Sequence, residues 1–75
     1  MAVCVEGIAL NSIIGRNIRR LRWQRGYTQS ELGKRARISQ GRICRLEIGN
    51  ENPTLTSLSR IARALEVETA ELLRS

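Results

Sequence analysis

Residues 40–45 read Gln-Gly-Arg-Ile-Cys-Arg, and three of these side chains, Gln40, Arg42 and Arg45, end in planar groups that make paired hydrogen bonds. A guanidinium matches guanine O6 and N7, and a primary amide matches adenine N6 and N7. Such chemistry is recognition of base edges or phosphates, not bond making. Catalysis has little to draw on. The chain has no histidine, and its two cysteines, Cys4 and Cys44, are far apart and outside any CxxC motif. No paired carboxylates fall at a useful spacing. A zinc site needs about four ligands, which this composition cannot assemble in the usual way. The expectation is a binding protein that is not an enzyme, with no cofactor and no metal, and with ordinary reduced thiols.

The charge supports a polyanionic partner. The chain of 75 residues carries a net charge of +6, and its only lysine is Lys34; the rest of the basic side chains are arginine. Residues 16–45 hold ten basic side chains against one acid, Glu31, whereas residues 46–75 hold three arginines and five glutamates. One basic face for nucleic acid and a different surface elsewhere follow from that asymmetry. No apolar run approaches the roughly 18 residues of a membrane span. Residues 1–10, interrupted by Glu6 and Gly7, lack the basic start of a signal peptide. A cytoplasmic protein is expected, nucleoid-associated when bound to DNA.

Five helical patterns position these side chains, and no strand is predicted. Helix 1 spans residues 13–25, with the stripe Ile14, Ile18 and Leu21, a cap at Asn11 or Ser12, and Gly26 at its end. Thr28 and Glu31 form a T-x-x-E capping box for helix 2, residues 29–36. Ser39 caps helix 3, residues 40–48, and Gly49 ends it. Residues 49–53 are a loop of turn formers. Thr54 caps helix 4, where Leu55, Leu58, Ile61, Ala62 and Leu65 share one face. Helix 5 covers residues 69–73. The reading is one domain, residues 1–75, with an N-terminal extension over 1–11 and a five-helix core over 12–75. Its aliphatic core supplies roughly 3–5 kcal/mol of net stability, which a dimer would increase.

On a helical wheel, Ile43 and Leu46 point inward, with Glu47 beside them. Gly41 and Arg45 lie opposite, flanked by Gln40 and Cys44 on one side and Arg42 on the other. That outer arc is the expected base-reading edge: Gln40, Gly41, Arg42 and Arg45. Gly41 leaves room for close backbone approach or for a neighbouring side chain. Gln29, at the positive end of helix 2, is placed for a phosphate. Thr28 and Ser39 are caps first and phosphate donors second. Trp23 falls opposite the helix 1 stripe. Cover by the N-terminal segment with Val3, Val5, Ile8 and Leu10 is favoured over a protein interface or an open surface position.

Two short helices joined by a tight turn, residues 28–49, resemble the helix-turn-helix of small phage Cro and repressor proteins, the XRE family. The resemblance runs over residues 18–73. It rests on I-R-R-L-R-W-Q-R-G-Y-T-Q-S-E-L, then I-S-Q-G-R-I-C-R-L-E-I-G, then P-T-L-T-S-L-S-R-I-A-R-A-L-E-V-E-T-A-E-L-L. It implies an all-α, five-helix, lambda-repressor-like domain. The implied function is a transcriptional regulator that reads a palindromic operator as a homodimer, restriction-modification controller proteins included. It further implies that Gln29 contacts phosphate and braces Gln40. Arg22 would pair with Glu47 while keeping part of its guanidinium for a phosphate. The helix 4–5 region, with Val67, Leu72 and Leu73, would form the dimer surface. Two positions depart from the family pattern. Gly33 stands where alanine is usual, a helix-interior cost of about 0.5–1 kcal/mol. Arg37 stands where the turn usually has glycine, strained by about 1–2 kcal/mol if left-handed, or retained for a phosphate contact. Relatives often carry basic residues after helix 3, where this chain has Asn50, Glu51 and Asn52, which argues against strong contacts from this loop to the DNA backbone; Asn50 is the phosphate candidate within it. Two alternatives share the fold: an antitoxin that also binds a second protein partner, a toxin, and a coactivator-like protein-interaction module.

Overall fold

A computed structural model describes the backbone of residues 3–74 and the side chains of residues 10–74. It contains α1 (Val3–Arg25), α2 (Gln29–Ala36), α3 (Gln40–Glu47), α4 (Leu55–Leu65) and α5 (Thr69–Leu73), with no strand among the described residues. The start of each middle helix is fixed by a hydroxyl. Thr28 Oγ1 accepts from the Glu31 N–H while Glu31 answers the Thr28 N–H, and Ser39 and Thr54 accept from the N–H groups of Arg42 and Ser57. These bonds satisfy donors that a helix N-terminus otherwise leaves open.

The helix ends are equally uniform. After α1, α2, α3 and α4 the chain enters the left-handed region at Gly26 (φ 73°), Arg37 (φ 61°), Gly49 (φ 76°) and Glu66 (φ 59°). The next residue then donates back five positions: Tyr27 to Arg22 O, Ile38 to Gly33 O at 2.8 Å, Asn50 to Arg45 O at 2.9 Å, and Val67 to Ala62 O at 2.9 Å. Each is a Schellman closure, which turns the chain within a few residues. Glycine makes two of them without steric cost. Arg37 and Glu66 make the others against the left-handed penalty.

These corners fold the helices around one aliphatic core. Ile18, Leu32, Ile43, Ile61, Leu65 and Leu72 are fully enclosed, with Ile14, Leu21, Ala36, Ile38, Leu46, Leu58 and Ala62 around them. α1 packs on α3, α4 and α5, and α2 on α3 and α4. Arg25 joins two helix ends: its Nε donates to the Leu65 carbonyl at 3.0 Å, and Nη1 pairs with Glu66.

The structure corrects the sequence reading in four places. α1 begins at Val3, so it runs through the expected extension at residues 1–11, and Asn11 and Ser12 are interior helix residues rather than caps. They and Gly15 face the corner after α3: Asn11 donates to Asn52, Ser12 lies against Gly49, and Gly15 lies against the carbonyls of Leu46 and Glu47. Small polar residues that look locally like a helix start are here a docking strip. Leu55 is 77% exposed and outside the core, because it opens α4 on the solvent side. Trp23 is 62% exposed; the segment expected to cover it continues the same helix and cannot fold over it. Arg19, one turn away, stacks over its ring at 5.1 Å. Gly33 is no simple cost either. A Cβ there would sit 2.5 Å from the Ile38 carbonyl oxygen, so the tight α2–α3 corner needs glycine.

Candidate nucleic-acid interface

α3 is held from below by apolar contacts and by one buried charge cluster. Ile43, Leu46 and Glu47 are buried. The Glu47 carboxylate accepts from Arg22 Nε at 2.6 Å and from Arg22 Nη2 at 3.0 Å, and Gln29 Nε2 adds a third bond at 3.1 Å. Arg22 Nη1 donates to the Tyr27 carbonyl at 3.0 Å. One carboxylate on α3 thus binds α1 and the first residue of α2, while Arg22 also fixes the connector between them. The paired donors of Arg22 and the two acceptor oxygens match in geometry, which is what a desolvated ion pair requires.

This arrangement alters two expectations. The Arg22 guanidinium is consumed by Glu47 and Tyr27, and its side chain is only 10% exposed, so it acts as a brace with little left for a phosphate. The Gln29 amide donates to Glu47, and no bond between Gln29 and Gln40 is formed among the described residues. Gln29 remains at the N-terminal end of α2, partly exposed beside Thr28.

The opposite face of α3 is open. Gln40, Gly41, Cys44 and Arg45 are exposed, and Arg42 is half-buried at its flank. Gly41 lies under the Arg45 side chain: a Cβ there would be 3.7 Å from Nη1 and would meet nothing else. Cys44 is a free thiol on this face. Ser39, Thr28, Arg37 and Asn50 are all exposed near the ends of α2 and α3. Ser39 and Thr28 are engaged as caps, and the Asn50 N–H closes α3.

Sequence reasoning missed Glu51. Its carboxylate accepts from Arg42 Nε at 2.5 Å and from Arg45 Nε at 2.9 Å, bridging the two arginines of the open face. The bond from Arg45, and then that from Arg42, holds the Glu51 carboxyl below its ordinary range. Loop acids carry no periodic signal, so only the path of the α3–α4 connector reveals this contact.

The expected dimer residues separate. Leu72 is fully buried, because Asn17, itself buried on α1, donates to the carbonyls of Leu72 and Arg74 at 2.9 and 2.6 Å and latches α5 onto the core. It is therefore removed from the proposed surface. Leu73 is 43% exposed and Val67 partly exposed against the core edge. Among the described residues no group of three or more histidine, cysteine or acidic side chains is placed to hold a metal. No helix among them is long and apolar enough to cross a membrane.

Comparison with known proteins agrees with this geometry. Residues 18–72 match the family model HTH_3, described as helix-turn-helix. The chain is 39% identical over 64 residues to an uncharacterized HTH-type transcriptional regulator, y4dJ, of Sinorhizobium fredii, covering 85% of this chain and 83% of that protein. It is 43% identical over 47 residues to the antitoxin HipB of Escherichia coli, which spans 63% of this chain and about half, 53%, of the antitoxin. Among solved structures it resembles the restriction-modification controller protein C.AhdI of Aeromonas hydrophila, with a TM-score of 0.83 and 28% identity over 85% of this chain and 97% of that one.

Proposed function

The chain belongs to the helix-turn-helix family HTH_3, a family of DNA-binding transcriptional regulators, and on that premise we propose that it reads a specific operator through α3. One observation carries the proposal. The outer face of α3 exposes Gln40, Gly41 and Arg45 while its inner face is fixed by Leu46 and the Arg22–Glu47 pair. A reading edge on a rigid base is what a helix entering the major groove requires. In this reading Arg45 contacts guanine, Gln40 contacts adenine, and Arg42 serves a base or the adjacent strand. Gln29, Thr28, Ser39, Arg37 and Asn50 position the backbone phosphates, which supply affinity without sequence choice.

A homodimer on a palindromic site completes the reading. Leu73 and Val67 offer the apolar surface for it, and two copies would place their α3 helices about one turn of DNA apart, roughly 34–36 Å. The likeness to an antitoxin supports a second reading, in which the same chain also holds a toxin protein. Selection of bound duplexes from a random library tests the main proposal: a two-fold symmetric site is expected, with affinity falling steeply as salt rises. Arg45→Ala should cost about 1–3 kcal/mol on that site and relax choice at one base pair. Equal loss on every sequence would make Arg45 a phosphate contact. Recovery of no preferred site would overturn the proposal.

A further inference from the structure

Glu51 lies beyond α3, in the connector to α4, yet it touches both arginines of the open face. The geometry of contact is selective. Each arginine gives the carboxylate its Nε, and the terminal Nη groups of Arg42 and Arg45 make no hydrogen bond among the described residues. A free arginine at an exposed site samples many rotamers. Here both are tethered at Nε, the stem-side nitrogen of the guanidinium, so the outward Nη pair is the part left to donate. Bidentate recognition of guanine O6 and N7 needs two such parallel donors. The carboxylate also sets a negative charge beside two positive ones, at the place where an unneutralised pair of arginines would attract any phosphate.

We propose that Glu51 is a specificity-determining positioning residue: its carboxylate holds Arg42 and Arg45 by Nε, presents their Nη groups to base edges, and weakens their attraction to phosphate. The proposal rests on the reading of α3 as the DNA-reading helix. It assigns to a loop acid a role opposite to that of a basic loop residue. Glu51 lowers affinity for DNA in general and raises the preference for one sequence over another.

The test compares binding of wild type, Glu51→Gln, Glu51→Asp and Glu68→Gln to two duplexes: the one selected by wild type from a random library, and its scrambled version. Glu68 is exposed and forms no ion pair among the described residues, so its variant measures the effect of net charge alone. Far-UV circular dichroism confirms that each variant is folded. For Glu51→Gln the ratio of selected to scrambled affinity should fall about tenfold, mainly because the scrambled duplex binds more tightly as two side chains regain freedom to reach phosphates. The slope of log K against log salt on the scrambled duplex should steepen by about 1 to 2. Glu51→Asp keeps the charge but shortens the reach, and should also lose preference. An unchanged ratio in Glu51→Gln, a loss equal to that of Glu68→Gln, or full preference in Glu51→Asp would each overturn the positioning role while leaving DNA reading by α3 intact. A wild-type protein that prefers neither duplex would overturn both.

Discussion

Two helix-interior glycines, Gly15 and Gly33, together with Gly41 in the first turn of α3, offer a test that separates local propensity from packing. In an exposed helix, alanine is more stable than glycine by about 0.5–1 kcal/mol. On that ground Gly15→Ala, Gly33→Ala and Gly41→Ala should all stabilise the protein. The structure divides them. A Cβ on Gly15 would sit 2.4 Å from the Leu46 carbonyl oxygen and 2.5 Å from that of Glu47, and one on Gly33 would sit 2.5 Å from the Ile38 oxygen. These neighbours are backbone atoms, so relief requires moving α3 away from α1 or opening the α2–α3 corner. Overpacking of this kind costs about 1–3 kcal/mol. Subtracting the helix gain leaves a net loss of up to about 2.5 kcal/mol for Gly15→Ala and Gly33→Ala. At about 4–8 °C per kcal/mol for a domain this size, Tm should fall, by up to roughly 20 °C. Gly41→Ala meets only the Arg45 side chain at 3.7 Å, so its Tm should rise by about 2–8 °C. Thermal unfolding followed by far-UV circular dichroism reads all three. A higher Tm for Gly15→Ala or Gly33→Ala would refute the close approach of α1 to α3 or of α2 to its own corner. Gly41→Ala should at the same time weaken binding to a selected duplex, since the new methyl projects from the open face.

Other perturbations probe separate parts of the framework. Arg37→Gly removes about 1–2 kcal/mol of left-handed strain and adds about 0.4–1 kcal/mol of unfolded-state entropy, for a net gain near 0.5–1 kcal/mol. Urea unfolding should show a higher midpoint at unchanged m, and a lower midpoint would mean that the arginine side chain supports the fold. Glu47→Gln breaks the buried pair with Arg22 at a cost of about 3–5 kcal/mol, comparable to the whole stability expected of such a core. That variant should be largely unfolded at room temperature; a cooperative, wild-type-like melt would show that the pair contributes little. Glu51 supplies a pH signature. Its folded carboxyl lies below the ordinary value, first through Arg45 and then through Arg42, so the linkage stabilises the bridged state above the ordinary range and is lost as pH falls through the depressed value. An NMR titration should place the Glu51 midpoint below that of glutamate in a peptide, and Arg45→Ala should raise it; a midpoint at or above the peptide value would refute the bridge.

Helices α2, α3 and α4 were legible because each announces itself twice. Thr28, Ser39 and Thr54 are local start signals, and the apolar positions that follow keep helical period. The inward and outward faces of α3 followed from the same period. What escaped depends on contacts between distant segments. Asn11 and Ser12 carry the local chemistry of a helix boundary, and only the corner after α3, which Gly15 also faces, explains their place inside a helix. Gly33 looked like a weakness because propensity cannot see the Ile38 carbonyl. Leu72 was placed on the dimer surface by resemblance, since a helix as short as α5 has no period to show which residue turns inward, and the Asn17 latch comes from the far end of the chain. Glu51 was visible as a charge, but its partners are set by loop geometry.

The repeated closure at the helix ends bears on how this molecule moves. The amides of Tyr27, Ile38, Asn50 and Val67 lie in connectors, yet each donates to a helix carbonyl. In deuterium they should exchange only when the adjoining helix end opens, so the corners would be protected like the helices they join. A recognition element mounted on such corners loses little conformational freedom when it docks. Association should therefore behave as a nearly rigid-body event, with a heat-capacity change set by the contact surface and little contribution from ordering of the chain.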